Sequence, residues 1–300
     1  MYKKGKVICF FFKKNNDESK RVVAVIGTSP LAMFLTAVLQ QNNINVIVLD
    51  ILKRNKFEKE ETWFLKNSFQ EQSFSFKFCN ELTKKPEYCF VASSFDEYKS
   101  DLLFLSDKML KDVPIINFAS FYNHKFVEQS ENIKEIRAYF DGWLIKQKKE
   151  ITMLNRNAEL NICCEGALEK DLSEILSDKK IDVKFSKNSE KMFWQKKISW
   201  ALGNLFVLAY DEDISKILAN NEKRQTVDNA IKETCRILKN EEYQIDAQKL
   251  LTDIYAFPDG FISEYASPSG CLSLCEMVGD LNYFDYPKLF ELTNKILKKY

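Results

Sequence analysis

Arg21-Val22-Val23-Ala24-Val25-Ile26-Gly27-Thr28-Ser29-Pro30-Leu31-Ala32 decides how the rest of this chain is read. Arg21–Ile26 is a continuous β-branched run, as a strand buried on both faces requires. It stops at Gly27. Thr28 or Ser29 caps a helix, and Pro30 suits that helix's first turn. Leu31–Gln41 carries an apolar face and breaks at Asn42-Asn43. Ile44–Leu49 is a second buried strand, closed by Asp50. Strand, tight turn, helix, strand and terminal acid within about 30 residues make a βαβ unit.

Working outward, the alternation continues. Phe74–Phe78, Tyr88–Ala92 and Val113–Phe118 read as strands, and Asp96–Leu110 reads as a helix. A parallel sheet with crossover helices is the expected product. From Arg137 to Ile162 the pattern alternates in an antiparallel manner, followed by a helix over Asp171–Leu176 and a strand over Ile181–Phe185. Past Lys187 the character changes. Met192–Tyr210 is a long helix with Trp194, Ile198, Ala201, Leu202 and Leu205 on its apolar face. Asn221–Asn240, Asp246–Ile254 and Pro287–Lys298 follow as helices, with no internal repeat. The expected class is α/β: an N-terminal extension over 1–20, a Rossmann-type doubly wound sheet over 21–187, and an all-helical substrate and dimerisation unit over 188–300.

Bulk properties narrow the function. The 300 residues suit about two domains. Lys and Arg number 44 against 43 Asp and Glu, so no basic face invites nucleic acid. Val7–Phe12, flanked by lysines, is too short to span a bilayer, and no segment approaches about 18 apolar residues. A cytoplasmic protein that binds no membrane is expected. The eight cysteines contain no C-x-x-C pair; Cys163 and Cys164 adjoin, Cys271 and Cys275 stand four apart, and His124 is the sole histidine. Reduced thiols are expected, with no metal site. Hydrolase chemistry lacks its histidine partner and a G-x-S-x-G elbow.

A dinucleotide needs a glycine-rich turn, because pyrophosphate approaches the backbone closely and a helix N-terminus supplies amide donors. Here G-x-G-x-x-G/A reads Gly27-Thr28-Ser29-Pro30-Leu31-Ala32. The first glycine and the final small residue are present. Ser29 stands where the middle glycine belongs, and Pro30 has no amide proton. The hydroxyl of Thr28 or Ser29 offers a donor in exchange. Asp50 sits where a carboxylate binds the ribose 2′-OH of NAD, while Lys53 and Arg54 suit the 2′-phosphate of NADP. Both cofactors stay open.

The order of elements resembles the ketopantoate reductase (2-dehydropantoate 2-reductase) family over about residues 20–298. The resemblance rests on Ala158-Glu159-Leu160-Asn161-Ile162, then a helix, then Ile181-Asp182-Val183, then Phe193-Trp194-Gln195-Lys196, which matches a W-x-K opening of the long helix. It implies a 6-phosphogluconate dehydrogenase-like helical C-terminal domain and an active site between the domains. It further implies reduction of a small 2-keto acid by hydride from a nicotinamide, a homodimer, and a place in pantothenate biosynthesis. By this resemblance Lys196 acts at the substrate carbonyl, and Asn204, eight residues on, holds the substrate. Residues 196, 200 and 204 share one helix stripe.

Other family positions depart from the pattern. The asparagine four after the lysine is Trp200. The lysine after the strand at Tyr88–Ala92 is Ser93 or Ser94, and the asparagine-glycine after the fourth strand is Asn117-Phe118. S-S-M-x-x-D reads Cys275-Glu276-Met277-Val278-Gly279-Asp280, and the glutamate eight beyond falls on Lys288. The resemblance thus puts Ser93 and Asn117 with the cofactor, and Trp200, Asp280 and Lys288 with the substrate. Two readings remain: a diverged reductase, or a scaffold that has lost catalysis and binds another ligand or a protein. Aromatics of the helical unit, including Phe257, Phe261, Tyr265, Tyr283, Phe284 and Tyr286, suit an interface or a core.

Overall fold

The computed structural model describes residues 21–51, 60–66, 71–93, 110–118, 135–154, 158–177, 181–186, 190–240, 245–257 and 285–299. Asp280, His124, Lys53, Arg54, Ser94, Cys271, Cys275, Phe261, Tyr265, Tyr283, Phe284, the 1–20 segment and all but the end of the helix expected at Asp96–Leu110 lie outside them.

The opening βαβ unit forms as β1 (Val22–Ile26), α1 (Pro30–Gln41) and β2 (Asn45–Leu49). The β1 side chains divide between two cores. Val23 and Val25 pack with α1, whereas Ala24 and Ile26 join Leu110, Val113 and Ile115 on the opposite face. Coverage of both faces is why the run is apolar throughout rather than alternating. Four further strands complete a parallel core: β4 (Glu71–Cys79), β5 (Tyr88–Val91), β6 (Ile115–Asn117) and β7 (Glu135–Asp141). All their pairings, in the order β4-β2-β1-β5-β6-β7, are parallel. This is the 3-2-1-4-5-6 order of a dinucleotide fold, with the chain reversing direction of travel between β1 and β5.

Two findings differ from the sequence expectation. Strand β3 (Glu60–Lys66) runs antiparallel to β4 and extends the sheet, although its sequence alternates poorly. Its place comes from pairing Trp63 against Phe74, where an aromatic ladder with Phe76 and Phe78 is buried. In the stretch expected to be antiparallel, β7 is instead the sixth parallel strand; β8 (Leu144–Gln147) and β9 (Glu150–Met153) form a hairpin that joins β3, and β10 (Ala158–Ile162) returns antiparallel to β7. The β8–β9 hairpin packs on α1, so residues Ala32–Leu39 are buried on every side. After α2 (Ala167–Leu176), β11 (Ile181–Phe185) closes the other edge. Asp171 of α2 accepts from Arg21 and Tyr88, tying that helix beneath the starts of β1 and β5.

The helical unit comprises α3 (Glu190–Tyr210), α4 (Ile214–Ala219), α5 (Asn221–Asn240), α6 (Ala247–Tyr255) and α7 (Pro287–Leu297). Helix α3 packs against α4, α6, α7 and β7, so its second half is buried all round rather than on one stripe. Gly203 is required there. A Cβ would stand 1.8 Å from the Phe257 ring, which itself packs at a tilt against Trp143, between β7 and β8, with ring centres 4.1 Å apart. Phe257 is therefore a core aromatic. Buried Glu233 of α5 takes the amide protons of Lys288 and Leu289, closing the N-terminus of α7 that Tyr286 leaves without a side-chain cap. No helix among the described residues is long and apolar enough to cross a membrane.

Candidate functional site

Ligands of open α/β sheets bind outside the carboxyl ends of the strands, at the switch point. Here β2, β1, β5 and β6 are successive neighbours. Their carboxyl ends carry Asp50, Gly27-Thr28-Ser29, Ser93 and Asn117, in that order. Three inter-strand steps of about 4.8 Å place these residues across roughly 14 Å. The register supports the line: Ile26 pairs with both Leu49 and Val91, and Val91 pairs with Asn117.

Gly27 is fixed by close approach. Its φ is +111°, and a Cβ would lie 2.7 Å from the Ser93 Cα and 2.9 Å from the Ser93 nitrogen, both backbone atoms. Its amide donates to Leu49 O at 3.0 Å, locking the turn to the end of β2. Asp50 is buried, with its own amide on Cys79 O. Ser93 Oγ reaches Ile26 O at 3.5 Å.

Ser29 fills the middle-glycine position with a bonded hydroxyl. Its Oγ accepts the Ala32 amide proton at 3.1 Å as the N-cap of α1, and donates to Ala92 O. Pro30 contributes no donor, so the first turn keeps less of its anion-binding capacity than a glycine turn would. A cation enters from elsewhere. Lys146 of β8 donates to Thr28 O at 2.8 Å, with its Nζ 5.2 Å from the centre of the Trp63 ring. Lys146 was not legible in the sequence, because it depends on the β8–β9 hairpin folding over α1.

The helical unit meets this sheet through β7. Tyr139 packs on Phe193, and the Arg137 guanidinium lies 6.0 Å from the centre of Phe193 and 5.5 Å from that of Trp194. The two neighbouring lysines of α3 part company. Lys196 pairs with Asp141 at the end of β7 and Asp253 of α6, both at 3.0 Å. Burial works to lower its ammonium, but the Asp253 hydrogen bond and the nearby carboxylates outweigh it and hold the pKa above the ordinary lysine value. Lys197 turns to the sheet, donating to Phe118 O just past β6. There burial pushes its pKa down to about 7.

Asn204 is buried and donates to Trp200 O, one turn back on its own helix, at 2.7 Å. Trp200 is half-buried on the same stripe. Lys288 stands on α7, with its ammonium 3.1 Å from Glu291 and its surroundings including Tyr210 at the far end of α3. Thirteen residues of helix, about 20 Å, separate Tyr210 from Lys197. The structure thus gathers Gly27, Thr28, Ser29, Ala32, Asp50, Ser93 and Asn117 along one edge. It holds Lys196, Trp200 and Asn204 on α3, and sets Lys288 apart. Arg137 and Lys197 join the edge although the sequence did not single them out. The signal available for Lys197 was its place one turn after Phe193. A surface groove of about 340 Å³ between α5 and α6, lined by Arg224, Asp228, Gln248, Leu251, Thr252 and Tyr255, shares no residue with this edge.

No family model matches the sequence, and no curated protein matches it. Solved structures do. The chain superposes on dimeric ketopantoate reductase from Staphylococcus aureus with a TM-score of 0.67 at 15% identity, covering 93% of this chain and 100% of that one. D-mandelate dehydrogenase, solved with NADH and anilino(oxo)acetate, gives 0.70 at 13% identity over 93% and 97%. The 2-dehydropantoate 2-reductase from Geobacter metallireducens gives 0.66 at 11% identity over 93% and 100%. At such identities the likeness shows the fold: a Rossmann-type unit followed by a helical unit, built as in the ketopantoate reductases.

Proposed function

We propose that this chain reduces a small 2-oxo acid to the 2-hydroxy acid with a nicotinamide dinucleotide, NADH or NADPH. The observation that carries the proposal is the row of Asp50, Gly27–Ser29, Ser93 and Asn117 along the carboxyl ends of four adjacent parallel strands, with a lysine of α3 on Phe118 O beside its last member. Asp50 would hold a ribose hydroxyl, the Gly27 turn and Lys146 the pyrophosphate, and Ser93 and Asn117 the nicotinamide end. The absence of a side chain at Gly27 fits such a turn, since a Cβ there would collide with the Ser93 backbone and push the loop off the ends of β1 and β5. When bound, the dinucleotide supplies the hydride. The chain's own task is to hold the carboxylate, orient the carbonyl and deliver one proton to its oxygen. Neighbours of the same fold include D-mandelate dehydrogenase solved with NADH and anilino(oxo)acetate, which supports the substrate class. A cytoplasmic homodimer is part of the proposal, since the S. aureus neighbour is dimeric; light scattering decides it.

The Ser29 bonds favour one second reading, a scaffold that has kept the fold and lost the dinucleotide. Titration with NADH and NADPH, followed by tryptophan quenching and by oxidation of the cofactor against a panel of 2-oxo acids, separates the two. The reductase requires saturable binding at or below about 1 mM, the top of the usual range. No response to either cofactor, and no turnover with any acid, would overturn it.

A further inference from the structure

We infer that Asp253 of α6 is a positioning residue: it fixes the place and direction of the Lys196 ammonium from the helical unit, as Asp141 of β7 does from the sheet. The inference rests on the reductase reading above and on the resemblance that brings the W-x-K lysine to the substrate carbonyl. Neither carboxylate belongs to the motifs that carry that resemblance.

Lys196 joins three elements. From α3 its Nζ lies 3.0 Å from Asp141 Oδ2 and donates to Asp253 Oδ1, also at 3.0 Å. Strand β6 ends at Asn117, which pairs with Arg137, while β7 runs on for four residues to Asp141. At about 3.3 Å per residue that carries Asp141 about 13 Å beyond Asn117, into the space outside the carboxyl ends of the strands. Lys196 is therefore held on the ligand side of the sheet. The start of α6 is fixed on α3 by Gln195, the residue before Lys196. Its side chain donates to Asp246 O at 3.2 Å and accepts from Asp246 N at 3.1 Å. Asp253 stands two turns further along the same helix, between the buried Leu250 and Ile254.

The two carboxylates are not equal. Asp141 is 40% exposed and Asp253 only 13%. Among the described residues, the second oxygen of Asp253, Oδ2, is buried and has no hydrogen-bond partner. A buried acceptor without a donor costs stability, so stability alone does not account for a carboxylate here. Holding a charge does. In the reductase reading the carbonyl carbon gains a hydride, the π electrons move to oxygen, and the oxygen takes a proton from the Lys196 ammonium. The oxo acid is reduced, the dinucleotide oxidised, and water returns the proton to the amine. That step needs the ammonium both present and aimed. The charges facing Lys196 are Asp141 from β7 and Asp253 from α6. Lys197 turns away to Phe118 O, and Arg137 of β7 lies against Trp194. Burial, the largest single influence, works against the ammonium, and the two carboxylates together outweigh it.

The test uses the whole chain in two assays. Trace acetylation with acetic anhydride, read peptide by peptide in a mass spectrometer, follows the free amine of Lys196 against pH and needs no activity. Wild-type Lys196 should label weakly in mild alkali. In Asp253→Asn its labelling there should rise about tenfold, because losing a neighbouring opposite charge lowers a lysine pKa by about one unit or more. The second assay is turnover of 2-oxo acids with NADH or NADPH. In Asp253→Asn kcat should fall about tenfold to a hundredfold, part of what a general acid contributes, with little change in KM. The alkaline fall of kcat should begin about one unit lower in that variant, and Asp253→Glu should restore it in part. If Asp253→Asn fails to fold, Asp141→Asn opens the clamp from the sheet side and should move both readouts in the same direction. A merely structural Asp253 would lower the melting temperature and leave the labelling and the alkaline limb in place; that result overturns the inference. In an active enzyme, raised labelling with an unmoved limb overturns it as well. Raised labelling without turnover by the wild type on either cofactor sinks the reductase reading and leaves the clamp standing.

Discussion

Replacing Ser29 with glycine restores the middle position of the dinucleotide turn, and the structure fixes what that should do. In the folded chain the Ser29 hydroxyl caps Ala32 N at 3.1 Å and donates to Ala92 O. Exchanging a serine cap for glycine costs a few tenths of a kcal/mol. Losing a hydroxyl-to-carbonyl bond costs about 0.5–1.5 kcal/mol. The freer unfolded chain adds about 0.4–1 kcal/mol. Ser29→Gly should therefore destabilise the protein by about 1–3 kcal/mol and lower its melting temperature by several degrees. Binding should move the other way. The Ala32 amide is released toward the space the hydroxyl occupied, and a hydrogen bond from an amide to a phosphate is worth about 1.5–3 kcal/mol. After the cost of ordering a looser turn, NADH or NADPH should bind about tenfold tighter. The assay is a cofactor titration in wild type and variant, read through quenching of tryptophan; Trp63 stands beside the turn through Lys146. A variant that loses stability while its cofactor affinity stays level or drops would refute the idea that phosphate sits at this turn.

Two further outcomes follow from the packing. Glu233→Ala leaves the Lys288 and Leu289 amides of α7 without their carboxylate, and should cost about 2–4 kcal/mol in urea unfolding; a loss under about 0.5 kcal/mol would show that water replaces it. Arg21's hydrogen bond holds the Asp171 carboxyl below the usual range, so the unfolded chain binds that proton more readily. Its contribution is full above the unfolded value of about 3.9 and disappears as pH falls through the folded one. With the side chain 36% exposed the effect is small, and Asp171→Asn should flatten the acid limb of stability against pH; parallel acid limbs would exclude the pair.

The βαβ opening was legible because its determinants are local. A β-branched run, a glycine and a helix cap each act within a few residues, and both strands are apolar because both faces are covered. Strand β3 was not legible, since Glu60, Glu61 and Lys66 dilute its pattern and its stability comes from β4 and β9 on either side. The turn at Ser29 was half legible. A lost glycine is visible in a string of letters, but the partner of its hydroxyl, Ala92 O, lies 63 residues away. Resemblance brought Lys288 to the substrate as a replacement for a glutamate. The folded chain surrounds it with Glu291 and Glu233 on the first turn of α7.

The lysine pair shows why spacing alone falls short of a mechanism. Consecutive helix residues project about 100° apart, so only one member of a Lys-Lys doublet can face a given neighbour. Nothing local chooses between them. The choice is made by two carboxylates, Asp141 on β7 and Asp253 on α6, that capture Lys196, and by one carbonyl, Phe118 O, that receives Lys197. Strand β7 supplies one side of this division through Asp141 at its end, and the end of β6 supplies the other. Any rotation of α3 that brought Lys196 to the sheet would have to break the two ion pairs and withdraw Lys197 from Phe118 together. Removing Asp141 and Asp253 should therefore release Lys196 and leave Lys197 on Phe118 O, because that bond is made at the end of β6 and not to either carboxylate.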